Sequence, residues 1–165
     1  MGGLFSIFGA SFRLLNKRDT AARTPAHETL SMASLAVQQK RRILIVDDDR
    51  DSTHLVKILL EKTGRYLVLE QNDATKAHQS ARNLRPDLIL LDMAMPEADG
   101  GDVAAQIEAD PGLRRTPIIF VTALVTEAEA KAGLRIQGRP FLPKPISISD
   151  LINRIEENLP AHTAF

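Results

Sequence analysis

Six residues have side chains whose types and places could do chemistry together. Asp47, Asp48 and Asp49 follow the apolar run Ile43-Leu44-Ile45-Val46, and Asp92 closes Leu88-Ile89-Leu90-Leu91. Thr122 closes Ile118-Ile119-Phe120-Val121, and Lys144 follows Pro140-Phe141-Leu142-Pro143. Several carboxylates at one place repel one another unless a cation sits between them. A hard divalent ion with oxygen ligands suits them, and Mg²⁺ is the usual choice where phosphate is also present. Lysine supplies a compact positive charge for an anion. Threonine supplies a hydroxyl donor. Carboxylates, Mg²⁺, ammonium and hydroxyl around one point suit phosphoryl transfer. One carboxylate can then be the nucleophile and become an acyl phosphate.

Such a set works only if the chain brings it together. The three apolar runs, with a shorter one at Pro140-Phe141-Leu142, read as buried strands, and 66–69 reads as a further one in second place. Helical periods separate them. Leu55, Val56, Leu59 and Leu60 form a stripe that stops at Gly64; Ala74, Ala77, Ala81 and Leu84 form another that Pro86 ends. Residues 95–101 read as a loop, marked by Pro96 and Gly100-Gly101, and a short helix follows at 102–108. Thr126-Glu127-Ala128-Glu129 reads as a capping box opening a helix. Leu151, Ile152, Ile155 and Leu159 form the last stripe. Taken as five strands alternating with five helices, this predicts an α/β fold with a parallel sheet covered on both faces. Sites in such folds lie at the carboxyl ends of the strands. All six residues fall on that edge.

From Ile43 to Leu159 the chain resembles the receiver domain of two-component response regulators. The residues that carry the resemblance are Ile-Leu-Ile-Val-Asp47-Asp48-Asp49, then Asp87-Leu-Ile-Leu-Leu-Asp92-Met-Ala-Met-Pro96 with Asp99-Gly100, Pro117-Ile-Ile-Phe-Val-Thr122-Ala123, and Pro143-Lys144-Pro145. The gaps also agree: 45 residues from Asp47 to Asp92, 30 to Thr122 and 22 to Lys144. The resemblance covers about 117 of 165 residues. It implies a flavodoxin-like, doubly wound sheet in the order 2-1-3-4-5. It also implies roles. Asp92 is the expected phosphoacceptor, served by a histidine kinase or phosphotransfer protein. Asp47, Asp48, Asp92 and the backbone carbonyl of Ala94 are expected to hold Mg²⁺. Thr122 is expected to bond the phosphoryl group. Lys144 is expected to pair with Asp92 and then with a phosphoryl oxygen. Phe141 stands where the family has its aromatic switch residue. The Lys144-Pro145 bond is expected to be cis, at modest cost.

Blander readings compete. Any of the three leading aspartates could simply cap the first helix. Asp47-x-Asp49-x-Asp51 mimics an EF-hand opening, but Ser52 replaces the glycine and Ile58 the closing glutamate. Asp49-Arg-Asp51-Ser-Thr53 mimics the opening of haloacid-dehalogenase-like phosphatases, which stands as one alternative. The other is a receiver-fold interaction module that is never phosphorylated. His27, His54, His78 and His162 show no metal-ligand spacing.

Departures from the family bear on behaviour. The positions two past Asp92 and two past Thr122, which tune dephosphorylation in the family, are the apolar Ala94 and Leu124. Neither can activate a water, so slow self-hydrolysis is expected. Residues 132–142 also depart from the usual pattern, and Phe141 cannot donate the bond that a tyrosine could.

The balance of charge divides the chain. Residues 1–42 carry seven Lys/Arg against two acids, whereas the rest carries 14 basic and 19 acidic side chains. Residues 1–42 read as a flexible basic extension, 43–159 as the acidic domain, and 160–165 as a tail. Phe5, Phe8, Phe12 and Leu15 fall on one helical face, so residues 4–18 could touch a membrane or partner. Met1-Gly2 with Ser6 fits a myristoylation pattern, and Met32 is an alternative start. The formal net charge of zero gives no sign of nucleic-acid binding. With no cysteine, disulfides, zinc-thiolate sites and thiol nucleophiles are excluded. The expectation is a cytoplasmic single-domain response regulator, a phosphoprotein and not a classical enzyme. Its output is expected to pass through a separate downstream effector protein.

Overall fold

The computed structural model describes residues 40–159, apart from 97, 127, 130, 131, 133 and 134. The elements run β1 (Arg41–Val46), α1 (Arg50–Lys62), β2 (Tyr66–Gln71), a 3₁₀ turn (Ala74–Lys76), α2 (Ala77–Leu84), β3 (Leu88–Asp92), a two-residue hairpin of β4 (Ala94–Met95) and β5 (Ala98–Asp99), α3 (Gly100–Ala109), β6 (Ile118–Thr122), β7 (Phe141–Pro143) and α4 (Ile148–Asn158). The main sheet is parallel in the order β2-β1-β3-β6-β7. Setting the small hairpin aside, this is the expected 2-1-3-4-5 order.

Alternation along the strands divides the core. Leu44, Val46, Ile89, Leu91, Ile118 and Phe120 face Ala77 and Ala81 of α2 and Val103, Ala104 and Ile107 of α3. Their chain neighbours Ile43, Ile45, Leu88, Leu90, Ile119 and Val121 face Val56 and Leu60 of α1 and Leu151 and Ile155 of α4. Strands buried on both faces explain the continuous apolar runs. Removing the area of each such side chain from water contributes roughly 1.5–3 kcal/mol.

Several boundaries differ from the sequence reading. β1 starts at Arg41, inside the expected extension, because its backbone pairs with Tyr66 and Leu67. The Asp87 carboxylate accepts from the Arg42 N–H at 2.7 Å. Gly100 and Gly101 are not loop. They open α3, capped by Asp99, whose carboxylate accepts from the Gly101 N–H. The second helical stripe splits, its first turn being 3₁₀ and capped by Asp73.

Four α-helices lie among the described residues. The reciprocal bonds of the capping box are present: Thr126 N–H to the Glu129 carboxylate at 2.8 Å, and Glu129 N–H to Thr126 Oγ1 at 3.3 Å. Much of the helix expected there lies outside the described residues. So do residues 1–39, with the aromatic face of residues 4–18, the Met1-Gly2 pattern and Met32, and the tail 160–165. No helix among the described residues is long and apolar enough to cross a membrane. Before β7, Gln137 (φ 50) and Gly138 (φ 79) make a tight turn closed by a bridge between Ile136 and Arg139. Two left-handed central residues suit a type I′ turn, and glycine adopts one of them without strain.

Candidate functional site

The strand register assembles the site. Val46 pairs with Leu91, so Asp47 and Asp92 are the next residues along adjacent strands. Asp92 pairs with Val121, one residue before Thr122, and Thr122 pairs with Pro143, one before Lys144. The Lys144 N–H donates to the Thr122 carbonyl at 2.9 Å, tying the last two strand ends together. The Lys144-Pro145 bond is cis.

Three of the four acids expected near the site serve one cluster. Asp47, Asp48 and Asp92 each offer a carboxylate oxygen within 4.8 Å of the others. Asp47 and Asp92 are each 5% exposed, whereas Asp48 opens to solvent. Asp49 takes the blander role. Its carboxylate accepts from the Asp51 and Ser52 N–H groups and caps α1. The residue that would be nucleophile in the phosphatase alternative is therefore an exposed helix cap.

Lys144 is the counter-charge, with an order of contacts that the sequence did not show. Its Nζ lies 2.7 Å from Asp47 Oδ2 and 3.6 Å from Asp92 Oδ2. The ammonium bridges both acids and sits closer to Asp47 than to the expected phosphoacceptor. Asp47 also accepts from the Asp49 N–H through Oδ1 at 3.0 Å, and Asp92 Oδ1 accepts from the Met93 N–H at 2.9 Å. Burial pushes the Asp92 carboxyl above its ordinary range. The Lys144 charge opposes this and the Asp47 charge adds to it. Burial pulls the Lys144 ammonium down, but the hydrogen bond and charge of Asp47, then of Asp92, outweigh it and leave Lys144 above its ordinary value.

Thr122 is fully buried. Its Oγ1 accepts from the Leu124 N–H at 3.1 Å, so its own proton can be donated elsewhere. Leu124 itself is 72% exposed beside the site, and Ala94 is exposed at the start of β4. Phe141 is 3% exposed and pairs in register with Phe120. Arg139 lies over the Phe120 ring at 5.5 Å and bonds Glu108 at 2.9 Å, which ties the residue two before β7 to β6 and α3. Sequence reasoning gave Gly100 no role here, yet its N–H bonds the Met93 carbonyl and the Asp92 backbone fills the place a β-carbon would take.

Three carboxylates against one ammonium leave an excess of negative charge. That donor set suits a hard divalent cation held by Asp47, Asp48 and Asp92. A raised folded-state pKa for Asp92 has a consequence for stability. The fold favours the protonated form, so the charged carboxylate weakens the fold at neutral pH. That loss fades as pH falls through the folded value. Asp92→Asn should therefore raise the thermal midpoint in metal-free buffer at about pH 7.5, with the gain shrinking towards about pH 4. Melting curves of both proteins at the two pH values check this; a lower midpoint for the variant at neutral pH contradicts it.

The response regulator receiver domain family matches residues 43–156, so the chain belongs to that family. The DNA-binding response regulator MtrA of Mycobacterium tuberculosis is 33% identical over 73% of this chain and 51% of its own length. The phosphate regulon transcriptional regulatory protein PhoB of Pseudomonas aeruginosa is 33% identical over 70% and 50%. The chain thus spans about half the length of the curated relatives it matches. Because MtrA is a DNA-binding response regulator, the neutral charge of this chain does not exclude nucleic acid as a partner.

Among solved structures, the receiver domain of sensor histidine kinase PA1611 from Pseudomonas aeruginosa PAO1 has a magnesium ion coordinated in its active-site cleft. It is 27% identical, with a TM-score of 0.61, over 72% of this chain and 97% of that one. The receiver domain of the hybrid histidine kinase CckA is 31% identical, with a TM-score of 0.58, over 72% and 99%.

Proposed function

We propose that this chain is a phosphorylation-dependent signalling switch whose phosphoacceptor is Asp92. The observation that carries the reading is the convergence of a buried Asp92 with Asp47, Asp48, Thr122 and Lys144 at one sheet edge. An Asp92 carboxylate oxygen attacks the phosphorus of a donor phosphohistidine and forms an O–P bond. The donor's P–N bond breaks, and the imidazole keeps the electron pair and takes a proton from solvent. Mg²⁺, held by Asp47, Asp48, Asp92 and the Ala94 carbonyl, would supply charge neutralisation of the phosphoryl oxygens. Lys144 turns its ammonium to one phosphoryl oxygen, and Thr122 donates its hydroxyl proton to another. Movement of Thr122 changes the space beside Phe141. A partner that prefers the new arrangement then shifts the population towards it. The kinase acts in the cytoplasm on this reading, and the output runs through a partner surface that prefers the phosphorylated arrangement.

The test begins with the small donor acetyl phosphate. The adduct should map to Asp92, and neutral hydroxylamine should cleave it as it cleaves acyl phosphates. Decay should be slow, because Ala94 and Leu124 orient no water. The Ala94→Asn, Leu124→Glu double variant should lose the phosphoryl group several-fold faster, on the order of 10-fold. A hydroxylamine-stable adduct overturns the phosphoacceptor reading. An unchanged or longer lifetime overturns the tuning role of the two positions.

A further inference from the structure

Asp47 and Asp48 are useful to a cation only if the peptide joining them is held in one orientation, since that plane sets the direction of both side chains. The acceptor on that plane is the Asp47 carbonyl. The Asn72 side-chain amide, just past β2, donates to it at 2.7 Å. The same nitrogen donates to Thr53 Oγ1 at 3.0 Å. Thr53 is 1% exposed, and its hydroxyl donates in turn to the Arg50 carbonyl at 3.0 Å. One amide therefore ties the end of β2, the first turn of α1 and the loop that carries both acids. Asn72 also lines the cleft onto which Asp48 opens, with Asp73, Met95 and Pro96.

We infer that Asn72, held by Thr53, is a positioning residue for the cation-holding acids: it fixes the Asp47–Asp48 peptide so that both carboxylates converge with Asp92. This rests on the reading that these acids hold Mg²⁺. Neither residue is among the carboxylates that would hold the cation. Groups that orient metal ligands from behind typically change metal affinity by about 10- to 100-fold.

The experiment is Mg²⁺ titration of the full chain by calorimetry, with thermal melts of each metal-free protein alongside. Asn72→Ala and Thr53→Val, the latter nearly isosteric, should each weaken Mg²⁺ binding about 10-fold while the folded proteins melt cooperatively. Thr53→Ser keeps the hydroxyl and should bind within about twofold of wild type. The double variant Asn72→Ala, Thr53→Val should be no weaker than Asn72→Ala alone, because both changes break one network. Wild-type affinity in the folded variants, whatever their melting midpoints, overturns the positioning role and leaves the cation site standing. Absence of Mg²⁺ binding in the wild type overturns the cation site and this inference with it.

Discussion

Replacing Lys144 by methionine should weaken both the fold and the chemistry, and Mg²⁺ should repair only the fold. The ammonium is 2.7 Å from Asp47 and 3.6 Å from Asp92, whose side chains are 7% and 6% exposed. Without it, two buried anions face each other. Breaking a fully buried ion pair costs roughly 3–5 kcal/mol. Lys144 is 25% exposed, so solvent screening reduces the expected loss to about 2 kcal/mol. A divalent cation can take over the charge balance, so Mg²⁺ should raise the melting midpoint of Lys144→Met more than that of wild type. It cannot replace the ammonium that faces a phosphoryl oxygen. Phosphoryl uptake should stay about 10²-fold slower at saturating Mg²⁺, the order expected for losing one preorganised donor. Melts and uptake rates with and without Mg²⁺ test both parts. An unchanged midpoint contradicts the electrostatic account, and a wild-type uptake rate contradicts the role of Lys144.

Gly100→Ala should be the most damaging small substitution near the site. A β-carbon there would lie 2.2 Å from the Asp92 carbonyl oxygen and 2.7 Å from the Met93 α-carbon. Both are backbone atoms, so no side-chain rotation relieves the clash. Either α3 moves outward or the end of β3 does, and Asp92 leaves its place beside Asp47. The expected cost is about 3 kcal/mol, at the upper end for overpacking. The adjacent change supplies the control. At Gly101 the nearest atom is the end of the Gln137 side chain, at 2.7 Å, which can swing away. Gly101→Ala should cost less than about 1 kcal/mol. Denaturant midpoints of the two variants decide it; equal losses would show that the close approach at Gly100 does not matter.

The two glycines also show where sequence reasoning stops. Side by side after Pro96 they read as a loop, because local propensity gives glycine to turns. Their helical role follows from the approach of α3 to the end of β3, a contact between segments that no local pattern encodes. The strand ends were legible for the opposite reason. Runs such as Leu88-Ile89-Leu90-Leu91 are buried on both faces, so their apolar character is continuous and its end marks the sheet edge. Arg41 and Arg42 hid the first two residues of β1, since charge masks a strand whose pairing is made by backbone.

In the site, residue types pointed to Asp92, Thr122 and Lys144 because each stands alone at a strand end. They could not divide the work among Asp47, Asp48 and Asp49, which differ only in direction along a tight turn. The bond from Asn72 to Asp47 spans 25 residues and one strand crossing, so nothing in its surroundings announces it. The pairing of the buried Tyr66 hydroxyl with Glu156 was hidden for the same reason.

The central claim is that Asp92 accepts a phosphoryl group at a cation-dependent site. Intact-mass analysis of the full chain after incubation with acetyl phosphate, with and without Mg²⁺, tests it most directly. Wild type should gain the mass of one phosphoryl group only when Mg²⁺ is present, and Asp92→Asn should gain none. Equal gain by the Asp92→Asn protein, or by the wild type without Mg²⁺, would contradict it.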